Sequence, residues 1–328
     1  LSLHKFDVIV IGAGPVGFSC GIEAAKRDAT CLMLEKGCLV NSIFHFPTNM
    51  TFFSTSERLE IGDVPFISHG YKPTRREALE YYRRVCETWK LKVNQHEAVI
   101  DVLGEDGDFT VITTRQEYRA SAVIVATGFY DTPNLLNIPG ENLPKVKHYF
   151  DEPHPYAYRK IVVVGAGNSA VDVALETYRR SAEVTLVVRD SALKPSVKYW
   201  VKPDIENRLA EGAIPAYFNS RLTEIREGEV DIQTPEGLVT LENDVVLAMT
   251  GYLPDYSFLE KLGIGLRNDA AETPDYDDQT FETNRAGVFL AGVVCGGRNT
   301  GRWFIENAHD HATRIFDKLE KKNEQILA

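Results

Sequence analysis

Phe6-Asp7-Val8-Ile9-Val10-Ile11-Gly12-Ala13-Gly14-Pro15-Val16-Gly17 is the stretch whose reading decides the fold. Phe6 to Ile11 is dominated by β-branched apolar residues, the pattern of a buried parallel strand. Three glycines follow at once. Gly12 permits a tight turn, Gly14 lets a pyrophosphate approach the backbone, and Gly17 lets the next helix sit close to the sheet. A helical pattern then runs to about Arg27, with Pro15 and Val16 in its first turn as candidate contacts, and its N-terminus offers unpaired N–H groups to phosphate. Thr30 to Leu34 reads as a second strand. It ends in Glu35, placed to accept from a ribose hydroxyl, with Lys36 beside it. Strand, glycine turn, helix, strand and acid in this order predict a dinucleotide-binding unit.

The same pattern returns later in the chain. Lys160 to Val164 reads as a strand, Gly165-Ala166-Gly167-Asn168-Ser169-Ala170 as the turn, Ala170 to Arg180 as a helix and Val184 to Val188 as the next strand. A repeated β-α-β unit is far stronger evidence than either copy alone. The copies differ at the end of the second strand, where Arg189 stands in place of an acid. An acid there accepts from a free 2′-hydroxyl and repels a 2′-phosphate, whereas the planar fork of an arginine grips the phosphate. Lys194 and Lys198 follow closely. The first unit therefore reads as an adenine-dinucleotide site with a free 2′-hydroxyl, and the second, with Gly165, Gly167, Asn168, Ser169, Ala170, Arg189, Lys194 and Lys198, as an NADPH site.

The chain has 328 residues, 44% hydrophobic and 25% charged, as for an ordinary globular protein. Its net charge of −11 argues against nucleic acid or an anionic membrane as the main partner. No apolar run approaches the ~20 residues that span a bilayer. The chain opens on Leu1, as a processed or trimmed start would, and leads into the first strand with no signal-peptide pattern. Cys20, Cys31, Cys38, Cys86 and Cys295 are odd in number and widely spaced. They make neither a disulfide framework nor a metal pattern, so no metal site and a reducing cytoplasm are expected.

Between the two units, Lys36 to Phe53 is irregular and rich in aromatic and polar residues. Following the second strand, it is suited to wall in a cofactor, with Asn41, Ser42, Phe44, Thr48 and Phe53 as candidate contacts. Thr74-Arg75-Arg76-Glu77 is a capping box that starts a helix to about Trp89. Cys86 repeats at helical spacing with Leu79, Tyr82, Val85 and Trp89, as a core residue would. Val93 to Ala126 reads as β, with Gly104-Glu105-Asp106-Gly107 turning Ala98 to Val102 back on Phe109 to Thr113. Ala126-Thr127-Gly128 then turns the chain close to a ligand. Residues 131–155, rich in proline, read as a linker. Residues 211–248 are β-rich, and Thr250-Gly251-Tyr252 echoes the earlier turn. Gly287 to Gly292 is the last strand. It leads through Val293, Cys295, Thr300 and Gly301 to a terminal helix from about Arg302 to Lys321, with Trp303 in its first turn.

This arrangement resembles the two-dinucleotide flavoprotein reductases of the low-molecular-weight thioredoxin reductase type, over essentially the whole chain. The resemblance implies FAD on Gly12 to Gly17, Glu35, Ala126-Thr127-Gly128 and the Gly292 to Trp303 segment, and NADPH on Gly165 to Ala170. The fold it implies is α/β with two Rossmann-like domains. The FAD domain, residues 1–125 and 252–328, is interrupted by an inserted NADPH domain at 126–251. A homodimer is the family expectation. Two departures stand out. His148-Tyr149-Phe150-Asp151 occupies the place of the family's Cys-x-x-Cys, and Val293 follows Gly292 where an Asp usually contacts the ribityl chain.

Val40-Asn41-Ser42-Ile43, Thr51-Phe52-Phe53-Ser54, Ile61-Gly62-Asp63-Val64-Pro65-Phe66 and Phe304-Ile305-Glu306-Asn307 resemble the YpdA-type bacillithiol disulfide reductases within that superfamily. The resemblance implies hydride transfer from NADPH to FAD and on to a small disulfide. Members often carry Cys at the position of Val16, a thiol this chain lacks. Cys295, after the last strand, is the best-placed alternative relay. Arg302 is placed to attract the malate group of bacillithiol. Three alternatives remain open on sequence: a ferredoxin- or flavodoxin-NADP reductase serving a protein carrier, which also lacks the cysteine pair; a flavin monooxygenase; and a non-enzymatic NADPH sensor.

Overall fold

The strand Lys5–Ile11 forms at the expected place and lies at the centre of a sheet. It pairs in parallel with Cys31–Leu34 on one side and with Glu117–Val125 on the other. Ile9 and Val10 are fully buried, as the apolar run from Val8 to Ile11 requires of a strand covered on both faces. The computed structural model describes residues 5–327, so the lead-in expected at residues 1–4 lies outside the described residues. The chain divides into two compact units, Leu1–Thr132 with Tyr252–Ala328, and Pro133–Gly251.

In the first unit the sheet order is Val93–Asn94, Cys31–Leu34, Lys5–Ile11, Glu117–Val125, Asp108–Thr113, Val99–Glu105, with Val288–Leu290 also paired to Glu117–Val125. One long strand serves both neighbours: residues 117–120 run antiparallel to 109–112, and residues 123–125 run parallel to 288–290. Ala126 remains in this unit, since its N–H donates to the Ile11 carbonyl at 2.8 Å. The helix Arg75–Thr88 starts on the expected capping box, which satisfies two N–H groups that the helix itself leaves free. The hairpin is tighter than its four-residue signal: Glu105 pairs with Asp108, so Asp106-Gly107 alone makes the turn.

The terminal helix departs from expectation. It does not begin at Arg302 but comes as a single turn, Ile305–Ala308, followed by Asp310–Leu327. The reason is local. Phe304 N–H donates to Asn307 Oδ1 at 2.7 Å and Asn307 Nδ2 donates to the Arg302 carbonyl at 3.2 Å, so the side chain of Asn307 takes up groups that a helix would use.

The second unit carries a five-stranded parallel sheet, ordered Ala216–Tyr217, Glu183–Val187, Lys160–Val164, Val245–Ala248, Val146–Lys147. A three-stranded antiparallel sheet, Arg221–Ile225, Glu229–Thr234, Gly237–Glu242, accompanies it. The stretch read as a linker thus supplies an edge strand, because Val146 and Lys147 pair with Val246 and Leu247. His148-Tyr149-Phe150-Asp151 follows that strand, and Phe150 is buried in this unit's core. The helix Lys202–Ala210 is not foreshadowed by the patterns above.

Candidate functional site

The three glycines of the first turn act in different ways. Gly12 sits at φ +105°, and a Cβ on it would lie 2.5 Å from the Ala126 carbonyl oxygen. Only glycine fits there, because the turn presses on the next strand's end. A Cβ on Gly17 would lie 2.2 Å from the Gly12 carbonyl oxygen, so Gly17 lets the helix Pro15–Lys26 close on the strand. Gly14 has nothing within 4 Å of such a Cβ. It faces a cavity of about 410 Å³. The open face of Gly14, set against the N-terminus of a 12-residue helix, is the cradle a pyrophosphate requires.

The structure brings most of the candidate contacts of the first unit to this cavity. Gly12, Gly14, Pro15, Val16, Glu35, Lys36, Asn41, Ser42, Phe53, Ala126, Thr127, Gly128, Gly292, Val293, Thr300 and Trp303 all line it. Gly17, Phe44, Thr48, Gly301 and Arg302 do not. Gly17 is buried behind the turn, Phe44 lies under the Arg75 guanidinium, 5.4 Å from its ring, and Thr48 and Gly301 are exposed.

The Glu35 carboxylate is buried and anchored. Oε2 accepts from Ala13 N–H and Oε1 from Gly37 N–H, each at 2.9 Å. Burial raises its pKa, and the two N–H donors act against that shift. Each oxygen keeps a lone pair for a further donor. Lys36 reaches across to Asp131, with Nζ 2.9 Å from Oδ2, and both residues line the cavity. Val40 N–H donates to the Ala13 carbonyl at 3.1 Å, which ties the Asn41–Phe44 turn to the glycine loop.

The two residues expected to act on the acceptor stand elsewhere. Cys295 is 0% exposed and outside the cavity lining, and burial drives its thiol far above the usual range. A relay thiol needs access and an accessible thiolate, and this position offers neither. Cys20 is equally buried, and Cys31, Cys38 and Cys86 are half-buried. Burial raises the pKa of all four. Arg302 precedes the helix instead of opening it, and its guanidinium lies 3.6 Å from Asp278 and 5.2 Å from the Trp303 ring.

The second glycine turn has its own geometry. A Cβ on Gly165 would lie 2.4 Å from the Met249 carbonyl oxygen, and one on Gly167 would be 3.8 Å from the Lys194 side chain. Asn168 ties the following loop down: its Oδ1 accepts from Lys198 N–H at 2.8 Å and its Nδ2 donates to the Ser196 carbonyl at 3.1 Å. Ala170 is buried under the turn, and Ser169 is exposed at the head of Asn168–Tyr178. Lys198 is buried and donates to Asp172 at 2.7 Å, so its charge is already engaged. The Arg189 side chain is 87% exposed, with Asp190 3.8 Å away, and Lys194 is exposed.

Residues 9–292 match the pyridine nucleotide-disulphide oxidoreductase family. The chain belongs to that family. Bacilliredoxin reductase Bdr of Bacillus subtilis is 43% identical over 316 residues, 96% of this chain and 97% of the relative. The solved structure of bacillithiol disulfide reductase Bdr (YpdA) from Staphylococcus aureus superposes with a TM-score of 0.95 at 40% identity, covering 98% of this chain and 99% of that one. The Bacillus cereus structure of the same name gives 0.95 at 42% identity, covering 97% and 100%. This oxidoreductase has the thioredoxin reductase-like α/β fold and uses FAD and NADPH.

Much of the cavity wall of this oxidoreductase was beyond sequence reasoning. Ile11, Leu34, Val99, Tyr130, Asp255 and Phe258 line it, from strand ends and loops far apart in the chain. Among the described residues no helix is long and apolar enough to cross a membrane, and no cluster of side chains is suited to a metal ion.

Proposed function

We propose that this oxidoreductase reduces the disulfide of bacillithiol at the expense of NADPH. FAD sits in the cavity of the first unit and NADPH on the Gly165 turn of the second. The observation that carries the acceptor is the agreement over essentially the full chain with two solved reductases named for bacillithiol disulfide. When bound, the two cofactors supply hydride and two-electron chemistry.

The chain's own part is binding, orientation and exclusion of water. In this reading Gly14 admits the pyrophosphate, and the first turn of Pro15–Lys26 supplies N–H donors to it. Glu35, fixed by two N–H groups, takes a ribose hydroxyl, and the Lys36–Asp131 pair closes the same end. The apolar walls Ile43, Phe52 and Phe258 keep water from the flat rings. Arg189 and Lys194 receive the 2′-phosphate of NADPH. None of the five cysteines lines the cavity, so this chain offers the acceptor no thiol there. Cys295→Ala accordingly keeps full turnover, and Arg302→Ala raises the KM of a malate-bearing disulfide. The five cysteines are all free, which supports a reducing cytoplasm, and a homodimer is our reading of its assembly.

A second acceptor is favoured by the Bacillus subtilis relative, which is named for bacilliredoxin. There the disulfide would be presented on a small protein. Anaerobic NADPH oxidation by the FAD-loaded enzyme, with bacillithiol disulfide or with bacilliredoxin carrying a bacillithiol mixed disulfide as sole acceptor, tests both. Turnover well above the blank with the first supports the proposal. Turnover with bacilliredoxin alone selects the second reading, and rapid reduction of ferredoxin with neither disulfide active overturns both.

A further inference from the structure

His311 lies in the first turn of Asp310–Leu327 and is 1% exposed. Its Nδ1 accepts the Gly292 N–H at 3.1 Å. The preceding N–H groups go to carbonyls, Leu290 to Phe281 and Ala291 to Val125, each at 2.9 Å. Gly292 is where that series stops, and the imidazole supplies the acceptor that a neighbouring strand would otherwise provide. A ring nitrogen that accepts leaves the proton of the neutral imidazole on Nε2. That Nε2 is buried with no hydrogen-bond partner among the described residues, the kind of exception that marks a constrained site.

The ring itself is clamped. It stacks on Phe281 at 3.9 Å and 20°, and meets Trp303 edge-on at 4.4 Å and 90°. Gly292 sits at φ +87° against Val16, so close that a Cβ would lie 3.2 Å from the valine Cβ. Gly292, Val293, Val16 and Trp303 all line the cavity. His311 therefore touches two separate wall segments, one by a hydrogen bond and one by a ring contact, without lining the cavity itself.

We infer that His311 is a positioning residue for the flavin: by accepting the Gly292 N–H and bracing Trp303, it fixes the Gly292-Val293 and Thr300-Trp303 walls relative to Val16. This rests on the reading that FAD occupies the cavity. The backbone of Gly292 is held from behind by the imidazole.

The test is FAD affinity and the shape of the visible flavin band, measured on the full chain with three variants. His311→Phe keeps an aromatic ring but removes the acceptor. It should weaken FAD binding by ~10-fold or more and shift the flavin band. His311→Asn restores an acceptor near the Nδ1 position and should return affinity to within ~3-fold of the parent. A His311→Phe protein that is less heat-stable but binds FAD with parental affinity and spectrum overturns the inference, as does a failure of His311→Asn to do better than His311→Phe. Gly14→Val separates this from the cavity reading. If it leaves FAD affinity intact, FAD is not in this cavity; if it abolishes binding while His311→Phe does not, only the role of His311 fails. Should His311→Phe not fold, nitrogen NMR of the histidine-labelled parent decides. The Nε2–H tautomer at His311 supports the inference, and the Nδ1–H tautomer overturns it.

Discussion

The Glu35 carboxylate and the Ala13 N–H are 2.9 Å apart, so the acid at the end of the second strand holds the glycine turn that follows the first. Its other oxygen holds Gly37 N–H at the same distance. Glu35→Gln turns one acceptor into an NH₂ group facing a backbone N–H. Two donors then oppose each other in a buried site, at a cost of about 1–3 kcal/mol. Urea unfolding should show that loss, and FAD retention through gel filtration should fall with it. Unchanged stability would mean that the two hydrogen bonds contribute nothing.

The glycines of the first turn should separate in two assays. Gly12→Ala and Gly17→Ala place a methyl group 2.5 Å and 2.2 Å from backbone oxygens, which cannot yield without moving the strand ends. Both should lower the melting temperature of the apoprotein markedly. Gly14→Ala meets nothing within 4 Å and should leave that temperature within a few degrees, while weakening FAD binding through contact with the pyrophosphate. Equal melting losses in all three variants would contradict this division.

Arg189 and Lys198 should likewise part. Lys198 is buried against Asp172, so Lys198→Ala acts on the stability of the second unit. Arg189 is exposed beside the glycine turn's second strand, and on the proposal that it receives the 2′-phosphate, Arg189→Ala removes a charge-assisted contact worth about 1.5–3 kcal/mol. The KM for NADPH should rise by ~10-fold or more, with the rate on NADH unchanged. A parallel rise for both nucleotides would place the effect outside the 2′-phosphate.

Acid should destabilise the first unit through His311. Burial, and then the charges of Arg314, Arg302 and His309, push its pKa from 6.5 down to about 3. Between those values the unfolded chain binds a proton that the folded one refuses. Stability is thus intact above about pH 6.5 and falls as the pH drops toward 3, by up to ~1.4 kcal/mol per unit. In urea titrations at pH 7 and pH 4.5, His311→Asn should lose less stability than the parent between the two. An identical loss would show that His311 titrates freely.

The sequence by itself determined the elements whose causes are local. Phe6 to Ile11 is a strand whose residues from Val8 onward are apolar on both faces, and the glycines at 12, 14 and 17 stand at the spacing one turn and one helix impose. Glu35 and Arg189 are legible for the same reason, since each ends a strand a fixed distance from its turn. The repeat made the second unit readable from the first. What lay beyond the sequence depends on partners distant in the chain. Val146 and Lys147 look like linker until Val246 and Leu247 give them a ladder. Asn307 caps the helix at Phe304 and so delays the start expected at Arg302, through bonds that composition does not reveal. Cys295 resembles a nucleophile in a glycine-rich turn until the fold packs around it and raises its thiol pKa. The Lys36–Asp131 pair and the Gly292–His311 hydrogen bond join residues on different elements. Burial and proton affinity are collective properties of the packed chain, so only the tertiary structure decided which of these groups face the cavity and which support it from behind.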